Sequence, residues 1–292
     1  MRTVNTLKKS YLEQFRIFLT NLAYSQKTID TYVFHVEKLK ENFSVDKFQY
    51  KDVIRTISDP KFSLRYRQVI VAALKQYYHF LMWNGTRHDH PCPNLRIRSN
   101  FSKNFIQQDF LTSEELRLLR GRIQRYQLLD LRDKVLLSIL TIQGLAPNEV
   151  CALNLQHVNL LNKTVSVAAS RKYKKRKLNL LPEQVALIAA YIHESRSLLT
   201  GSTETALLVG MNGKRITTDS IHYLISTLSG MIPDKRITPQ IIRQSVITWW
   251  INDLKIPLEQ AQLMSGHRWI SSTQKYEFTN SEEDVALVNK WQ

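Results

Sequence analysis

The stretch from 263 to 276 reads LMSGHRWISSTQKY and places His267 nine residues before Tyr276. Upstream, Arg243 lies at the start of an apolar segment rich in Trp and Ile. A phenol can attack phosphorus, a guanidinium can neutralise a non-bridging oxygen, and an imidazole can donate a hydrogen bond to an oxyanion. Each residue alone is more often structural than catalytic, but the three together predict a phosphoryl-transfer site.

The composition indicates an ordered, basic protein with a polyanionic partner. The 292 residues include 41 Lys and Arg against 25 Asp and Glu, which gives a formal net charge of +16. Such an excess favours nucleic acid as the partner, and a merely basic soluble protein is the alternative. A hydrophobic content of 43% with 8 Gly and 8 Pro is typical of a mostly helical protein, and the length suits two domains.

Cysteine content and hydropathy indicate an intracellular location. The two cysteines, Cys92 and Cys151, are distant in sequence and lie outside any metal-ligand spacing, which favours a reducing compartment. The N-terminus lacks the apolar core of a signal peptide. No run approaches the roughly 18 apolar residues that a membrane span needs. We therefore expect a cytoplasmic, nucleoid-associated protein with no membrane partner.

Apolar residues recur at helical spacing through the first part of the chain. The pattern predicts helices over about 6–23, 26–39, 50–57 and 64–83. Ser25 and Ser63 are suited to cap the second and fourth helices, and Asn84 and Gly85 to end the last. We therefore predict a four-helix domain over 1–86. Its outward basic residues either lie along a phosphate backbone or form a solvated face; the candidate DNA contacts are Lys27, Arg65 and Arg67.

Helical periodicity fails after this domain, where Pro and basic residues replace apolar spacing. Such a composition is typical of an interdomain linker, which we place at 87–108. Arg96 and Arg98 are further candidate DNA contacts within it. Two histidines and a cysteine in this segment have no second cluster of ligands nearby, so their spacing does not predict a metal site.

The second half of the chain, 109–292, combines helical patterns with one β-hairpin. After a helix start at Ser113, helices are predicted over about 130–143, 183–195, 218–228, 239–254, 258–264 and 282–291. Two runs of strand-forming residues, 164–168 and 177–181, predict the paired strands. The sequence between them is almost wholly basic, so the hairpin tip either reaches into a nucleic-acid groove or is a solvated loop. The basic residues concerned are Arg171, Lys172, Lys174, Lys175, Arg176 and Lys177.

The order of these elements and motifs resembles the tyrosine recombinase (phage integrase, Xer-like) family over essentially the whole chain. The segments SQKTIDTY, at 25–32, and PCPNL, at 91–95, fall where that family's helical, SAM-like core-binding domain has its recognisable segments. The resemblance implies a mainly α fold: a four-helix core-binding domain, then an α+β catalytic domain with a small sheet. It also implies that a tyrosine attacks a DNA phosphate and leaves a 3′-phosphotyrosyl bond and a free 5′-hydroxyl. The family needs no metal, nucleotide or other cofactor for this step.

The match to the family's catalytic positions is uneven. Tyr276 matches the nucleophile, Arg243 the second arginine and His267 the second His-or-Trp position. Glu149 matches the acidic residue that lies three positions after the first arginine. That first arginine is absent, because Ala146 stands in its place.

Two further positions bear on activity. The family's first histidine is Gln240 here, which can donate a hydrogen bond but cannot shuttle a proton. The hairpin lysine falls at Arg171, or at Lys172 if the hairpin tip is shifted by one residue. Loss of one electrostatic stabiliser typically costs on the order of 100- to 1,000-fold in rate. The departures at Ala146 and Gln240 therefore put activity in doubt and leave the expected fold unchanged.

The resemblance also implies the partners. We expect double-stranded DNA with a specific site, clamped between the two domains, and a homo- or hetero-oligomer that is a dimer on one site and a tetramer in synapsis. Such recombinases serve integration and mobile genetic elements. The main alternative is a catalytically inactive relative that recognises a recombination site and assists a partner. A type IB topoisomerase-like enzyme, which shares the tyrosine nucleophile, is a third interpretation.

Overall fold

The computed structural model describes residues 2–98, 110–122, 126–201 and 203–278, with side chains described from Tyr11 onward. The chain divides into two compact units, Met1–Ser102 and Lys103–Gln292. The expected last helix, 282–291, and the end of the expected linker, 99–108, lie outside the described residues. Within the described ranges, none of the helices is both long enough and apolar enough to cross a membrane.

Four α-helices form the first unit, and their positions match those predicted: α1 (Arg2–Asn21), α2 (Gln26–Asn42), α3 (Tyr50–Ile57) and α4 (Leu64–Trp83). Side-chain caps define the start of two of them. Ser25 Oγ accepts a hydrogen bond from Thr28 N, and Ser63 Oγ accepts one from Tyr66 N. A short 3₁₀ turn, Val45–Lys47, lies between α2 and α3.

An aromatic core holds these helices together. Phe15 of α1 packs edge-on against Tyr77 of α4, with ring centroids 5.3 Å apart. Tyr77 and Tyr78 are both fully buried, and both hydroxyls have acceptors, the Asp46 carboxylate and the Val45 carbonyl. Because a buried hydroxyl is destabilising unless it is hydrogen-bonded, these contacts favour one specific packing of the helices.

Residues 87–98, the described part of the expected linker, pack on the first unit. Cys92 is fully buried in its core, and the Ile97 carbonyl accepts a hydrogen bond from an α4 side chain at 3.1 Å. Arg87 donates to the Asp46 carbonyl at 2.9 Å. The Pro-rich composition therefore marks a folded extension as far as residue 98. Composition alone does not separate such an extension from a linker, because Pro interrupts helices in both.

The second unit is mostly helical. Its α-helices are α5 (Ser113–Arg120), α6 (Gln127–Ile142), α7 (Pro147–Cys151), α8 (Pro182–Ala190), α9 (Ser197–Leu199), α10 (Thr218–Ser226), α11 (Pro239–Asn252), α12 (Leu258–Ser265) and α13 (Ser271–Gln274). A π-helical turn, Tyr191–Arg196, joins α8 to α9, so the predicted 183–195 helix continues past its expected end. The other helices predicted within the described residues of this unit are present, with bounds that differ by a few residues.

A three-stranded antiparallel sheet accompanies these helices, in the order β1 (Val158–Asn159), β2 (Thr164–Val167) and β3 (Arg176–Asn179). The sequence predicts β2 and β3, whereas a two-residue strand such as β1 has no readable alternation. Val165 pairs with Leu178, and Val167 pairs with Arg176. Side chains alternate along β3, so that Arg176 and Leu178 are buried and the residues between and after them are exposed.

Helix α11 lies in the core of the second unit. Most of its residues are buried, including the polar residues Arg243 and Gln244. Gly144, in the turn after α6, has a φ of +59°, and a Cβ at this position would lie 3.1 Å from Val246 Cγ1. Glycine therefore permits both the left-handed turn and its close approach to α11. This approach brings the Gly144 carbonyl to Arg243.

Candidate active site

Arg243 is held by the main chain of two separate turns. Its Nη1 donates to the Gly144 carbonyl and its Nη2 to the Ser265 carbonyl, each at 2.5 Å. The start of α11 is fixed one turn earlier, where Thr238 Oγ1 accepts a hydrogen bond from Ile241 N at 3.1 Å. The guanidinium is therefore oriented before any ligand binds, and its side chain is 7% exposed.

Glu149, on α7, lies at the centre of a buried network of charges. Its carboxylate accepts hydrogen bonds from Ala146 N at 2.8 Å and from Arg243 Nη1 at 3.4 Å. Its closest partner is Arg176, whose Nη1 and Nη2 donate to the two carboxylate oxygens at 2.6 and 3.0 Å. One buried carboxylate thus pairs with two guanidinium groups, and the pairing with Arg176 is bidentate.

Arg176 is buried, whereas the sequence-based interpretation grouped it with the exposed basic residues of the hairpin. Its side chain is 5% exposed, because alternation along β3 turns it to the same face as Leu178. Gly266 leaves room for it, since a Cβ there would lie 2.6 Å from Arg176 Nη1. The sequence did contain a signal: apolar Leu178 and Leu180 at two and four residues further on predict an inward position for Arg176.

His267 follows Gly266, the left-handed C-cap of α12. Its Nδ1 lies 2.9 Å from Thr273 Oγ1, a fully buried hydroxyl that can donate to it and leave the ring proton on Nε2. Burial and the positive charges of Arg243 and Arg176 lower the pKa of His267 to about 4. At neutral pH His267 is therefore an uncharged hydrogen-bond donor.

Tyr276 lies just after α13 and is held from α11 at both its main chain and its hydroxyl. Asn252 Nδ2 donates to the Tyr276 carbonyl at 2.7 Å, and Gln244 Nε2 lies 3.4 Å from the phenol oxygen as a donor. The Tyr276 and His267 rings are stacked, with centroids 6.3 Å apart. Burial raises the pKa of the Tyr276 phenol, although the Gln244 hydrogen bond and the Arg243 charge oppose this effect.

Tyr173, at the hairpin tip, turns back over this cluster. Its ring centroid lies 4.4 Å from Arg243 Cζ and 6.1 Å from the centroid of the His267 ring. The main chain of the tip is held as well, since Lys174 N donates to the Gly266 carbonyl at 2.8 Å. In the free protein one face of the Arg243 guanidinium is therefore stacked on an aromatic ring. No periodicity in the basic tip sequence signals this contact.

Three of the predicted catalytic positions are exposed. Gln240 is exposed on α11, one turn before the buried Gln244. Arg171 and Lys172, the two candidates for the hairpin lysine, are exposed at the tip. The cation that contacts Glu149 from the hairpin is instead Arg176, four residues after Lys172.

The predicted DNA contacts are mostly exposed basic residues. They are Lys27, Arg65, Arg96, Arg98, Arg171, Lys172, Lys174, Lys175 and Lys177. Arg67 differs from them, because its guanidinium is partly buried and donates to the Phe62 and Asp59 carbonyls, each at 2.9 Å. Arg67 therefore stabilises the turn before α4.

The structure brings together four predicted catalytic residues, Tyr276, His267, Arg243 and Glu149. It adds Gln244 and also Arg176, which the sequence predicts only as a DNA contact. In the part of the chain that is described, no group of three or more His, Cys, Asp or Glu side chains could hold a metal ion. The arrangement places fixed cations and a neutral donor beside a phenol. Such an arrangement can stabilise negative charge that develops at a phosphoryl group.

Comparison with known proteins identifies the family. The family model described as "Phage integrase family" matches residues 109–283, and the chain belongs to that family. The tyrosine recombinase XerD of Lacticaseibacillus casei is 24% identical over 223 residues, which are 76% of this chain and 74% of that protein. XerC of Bacillus subtilis (strain 168) is 24% identical over 295 aligned residues, covering 97% of this chain and 94% of that protein.

Solved structures show the same fold. The XerH recombinase bound to its difH substrate in a pre-cleavage complex has a TM-score of 0.69 at 16% sequence identity, over 90% of this chain and 79% of that chain. The tyrosine recombinase family and the mainly α fold class predicted from the sequence are therefore confirmed.

Proposed function

We propose that this protein is a site-specific DNA recombinase that cleaves and rejoins DNA through a 3′-phosphotyrosyl bond to Tyr276. The observation that carries the proposal is the convergence of Arg243, His267 and Tyr276 from separate segments. The Tyr276 ring lies 6.3 Å from the His267 ring, and the Arg243 charge acts on both side chains. Membership of the phage integrase family supports the enzyme class.

The proposed reaction consists of two transesterifications. The Tyr276 oxygen attacks phosphorus, the bond from phosphorus to the 5′ oxygen breaks, the phenol loses its proton, and the 5′ oxygen gains one. In the second step a 5′-hydroxyl attacks the phosphotyrosine and the phenol is restored. One phosphodiester is exchanged for another in each step, so the reaction is balanced without an additional reactant.

The roles of the neighbouring side chains follow from their charge states. Arg243 neutralises a non-bridging phosphate oxygen, and the uncharged His267 donates a hydrogen bond from Nε2 as negative charge develops. The raised pKa of Tyr276 keeps the nucleophile protonated, and hence weak, in the free protein. Gln240 can donate a hydrogen bond to DNA but cannot act as a base, and this is a departure from the family pattern.

We propose double-stranded DNA with a specific site as the partner, bound by a dimer, with a tetramer in synapsis. The net charge of +16 and the exposed basic residues of the hairpin support this partner. The solved XerH recombinase was bound to its own DNA substrate, difH, which supports the same class of partner. In this proposal Lys174, Lys175 and Lys177 contact a DNA groove.

A second candidate function is recognition of a recombination site without cleavage. Ala146 and Gln240 favour it, because the chain lacks a guanidinium at the first position and a proton shuttle at the second. On this reading the protein binds its site and assists an active partner. The two functions differ in one observable product, a covalent complex of protein with DNA.

The test begins with selection of a binding site from random duplexes with the full chain. The selected site is then made with a nick close to the central region, so that the short fragment carrying the free 5′-hydroxyl diffuses away and cleavage becomes irreversible. We expect a covalent adduct with the wild type and none with Tyr276→Phe, because this change removes only the nucleophilic oxygen. Tyr173→Phe is the matched control, since Tyr173 lies beside Arg243 in the same cluster and is expected to retain adduct formation.

Each outcome is decisive. Tight site-specific binding without an adduct in the wild type would support the binding function and contradict cleavage. Adducts that persist in Tyr276→Phe and disappear in Tyr173→Phe would transfer the role of nucleophile to Tyr173.

A further inference from the structure

Arg176 is the closest partner of Glu149, at 2.6 Å, and has no role in the reaction as described above. We propose that Arg176 is a catalytic arginine that binds, together with Arg243, the phosphate attacked by Tyr276. It supplies from β3 the guanidinium that the chain lacks at Ala146. The proposal rests on the proposed function for the identity of the phosphate as part of DNA.

The position of Arg176 is built into the fold. Its guanidinium is bidentate to Glu149, at 2.6 and 3.0 Å, and the same carboxylate contacts both Arg243 Nη1 and Ala146 N. A side chain at Gly266 would collide with it, since a Cβ there would lie 2.6 Å from Nη1. Arg176 therefore lies between the Ala146 turn and the residue that precedes His267, at the side of the site where a cation is missing from the sequence.

The charges of this cluster are not balanced. Arg176 and Arg243 share the single carboxylate of Glu149, and His267 is neutral at pH 7, so the group carries one excess positive charge. A buried charge is unfavourable unless it is paired. A phosphodiester brings one negative charge, and the transition state for its attack brings more. The cluster is therefore complementary to a bound phosphate and, more strongly, to the transition state.

Arg176 also has an unused donor. Its Nε is buried, and in the part of the chain that the structure describes it has no hydrogen-bond acceptor. Buried N–H groups are nearly always paired, and an unpaired one in a side chain that is 5% exposed calls for a ligand oxygen. Glu149 accepts one N–H from each Nη, so the Nε–H and the second N–H of each Nη are the donors that Glu149 does not use.

A purely structural role makes a different set of predictions. If Arg176 only neutralises Glu149, its loss lowers stability but leaves the cleavage rate of folded protein nearly unchanged. Arg176→Lys is informative because it retains the positive charge for Glu149 and loses the planar fork of donors. Arg176→Gln combined with Ala146→Arg moves the guanidinium to the residue whose backbone N donates to the same carboxylate.

The first experiment measures single-turnover cleavage of the nicked substrate, with thermal unfolding of each variant as a check on folding. We expect Arg176→Gln to cleave on the order of 100- to 1,000-fold more slowly than the wild type. We expect Arg176→Lys to remain folded and still lose at least about tenfold, and the double variant to recover part of the rate. Lys214→Gln is the control, because it removes an exposed cation outside the predicted DNA contacts and is expected to leave the cleavage rate unchanged.

The second experiment needs no cleavage and separates this proposal from the proposed function. In the Tyr276→Phe background, the selected site is tested with a neutral methylphosphonate at each central phosphate in turn. One substitution is expected to weaken binding, and Arg176→Gln to remove most of that effect. Lys177→Gln is expected to weaken binding to native and substituted DNA equally, so that their ratio stays unchanged.

The outcomes separate the two claims. Absence of an adduct in the wild type contradicts the recombinase function, and the methylphosphonate scan still decides whether Arg176 contacts a phosphate. A folded Arg176→Lys that cleaves within about threefold of the wild type overturns the proposal. An unchanged methylphosphonate effect in Arg176→Gln, or in Arg176→Lys if the Gln variant does not fold, overturns it as well.

Discussion

The two units enclose clusters of charged side chains that differ in their balance. In the first unit, Lys40 Nζ donates to the two Asp46 oxygens at 3.0 and 3.1 Å and to the Tyr77 hydroxyl at 2.7 Å. All three ammonium donors are used, and one cation faces one anion. In the second unit, two guanidinium groups face one carboxylate, and the buried Nε of Arg176 has no acceptor among the described residues.

The difference indicates which clusters of charged side chains are structural and which form a site. In a balanced group such as Lys40 with Asp46, each charge and each ammonium donor already has a partner, so no ligand is required. An unbalanced group such as Arg176, Arg243 and Glu149 is completed by an anion. Burial of an arginine is therefore less informative about function than the count of charges and donors around it.

The largest expected effect is that of salt on DNA affinity. Contacts with roughly 6–10 phosphates are expected to lower affinity for the selected site by about 10³- to 10⁵-fold between 50 and 200 mM salt. The buried pairs around Glu149 are screened much less, so the urea midpoint of the second unit is expected to change little over the same range. A flat plot of log affinity against log salt would contradict a DNA partner.

Removal of the shared carboxylate is expected to have the next largest effect. Glu149→Gln leaves Arg176 and Arg243 without a counter-charge, so the free energy of unfolding of the second unit is expected to fall by about 3–5 kcal/mol. Asp46→Asn is the counterpart in the first unit, where the Asp46 side chain is 42% exposed and a loss of about 1 kcal/mol is expected. Urea unfolding followed by circular dichroism measures both, and equal losses would invalidate the distinction between the clusters.

Acid is expected to destabilise the second unit through His267. Its pKa in the folded protein is about 4, below the usual value of 6.5. Between these two pH values, His267 therefore binds a proton in the unfolded chain but not in the folded protein. The contribution of this residue is therefore complete above pH 6.5 and lost as the pH falls towards 4. His267→Gln is expected to flatten the dependence of the urea midpoint on pH in this window. His222→Gln, at an exposed position on α10, serves as the control, and an equal flattening there would contradict the assignment.

The smallest expected effect concerns a single exposed cation. Lys177→Gln is expected to reduce the slope of log affinity against log salt by about 1, as for loss of one phosphate contact. Lys214→Gln, an exposed lysine outside the predicted contacts, is expected to leave the slope unchanged. If both changes have the same effect, affinity reflects net charge and not contact by the hairpin.

Local signals in the sequence predicted a large part of the fold. The sequence predicts helix α4 from Leu64 to Trp83, as the structure has it, because a serine cap precedes the helix and Asn-Gly follows it. The β2–β3 hairpin was recognised from its strand-forming runs, with β3 beginning one residue earlier than expected. The approach of Tyr276 to His267 is also expected from the sequence, since the offset of nine positions matches a family motif.

The missing parts of the site depend on contacts between distant segments. Arg176 pairs with Glu149 across 27 residues, and the stacking of Tyr173 on Arg243 depends on how the hairpin tip folds back. The alternation along β3 could have shown that Arg176 points inward, but it could not show which carboxylate it meets. The packing of Cys92 into the first unit is a similar case, because a Pro-rich segment carries no periodicity that reveals its partner.

The stacking of Tyr173 on Arg243 has a consequence for substrate length. Any phosphate that binds the covered face of this guanidinium has to displace the ring, which lies 4.4 Å away, and loosen the tip that Lys174 N holds to the Gly266 carbonyl. If DNA is the partner as proposed, part of the free energy of DNA binding would be used to open the site. A duplex that is too short to reach the basic hairpin tip would bind to the protein without exposing Arg243. Such a duplex would act as a competitive ligand and not as a substrate.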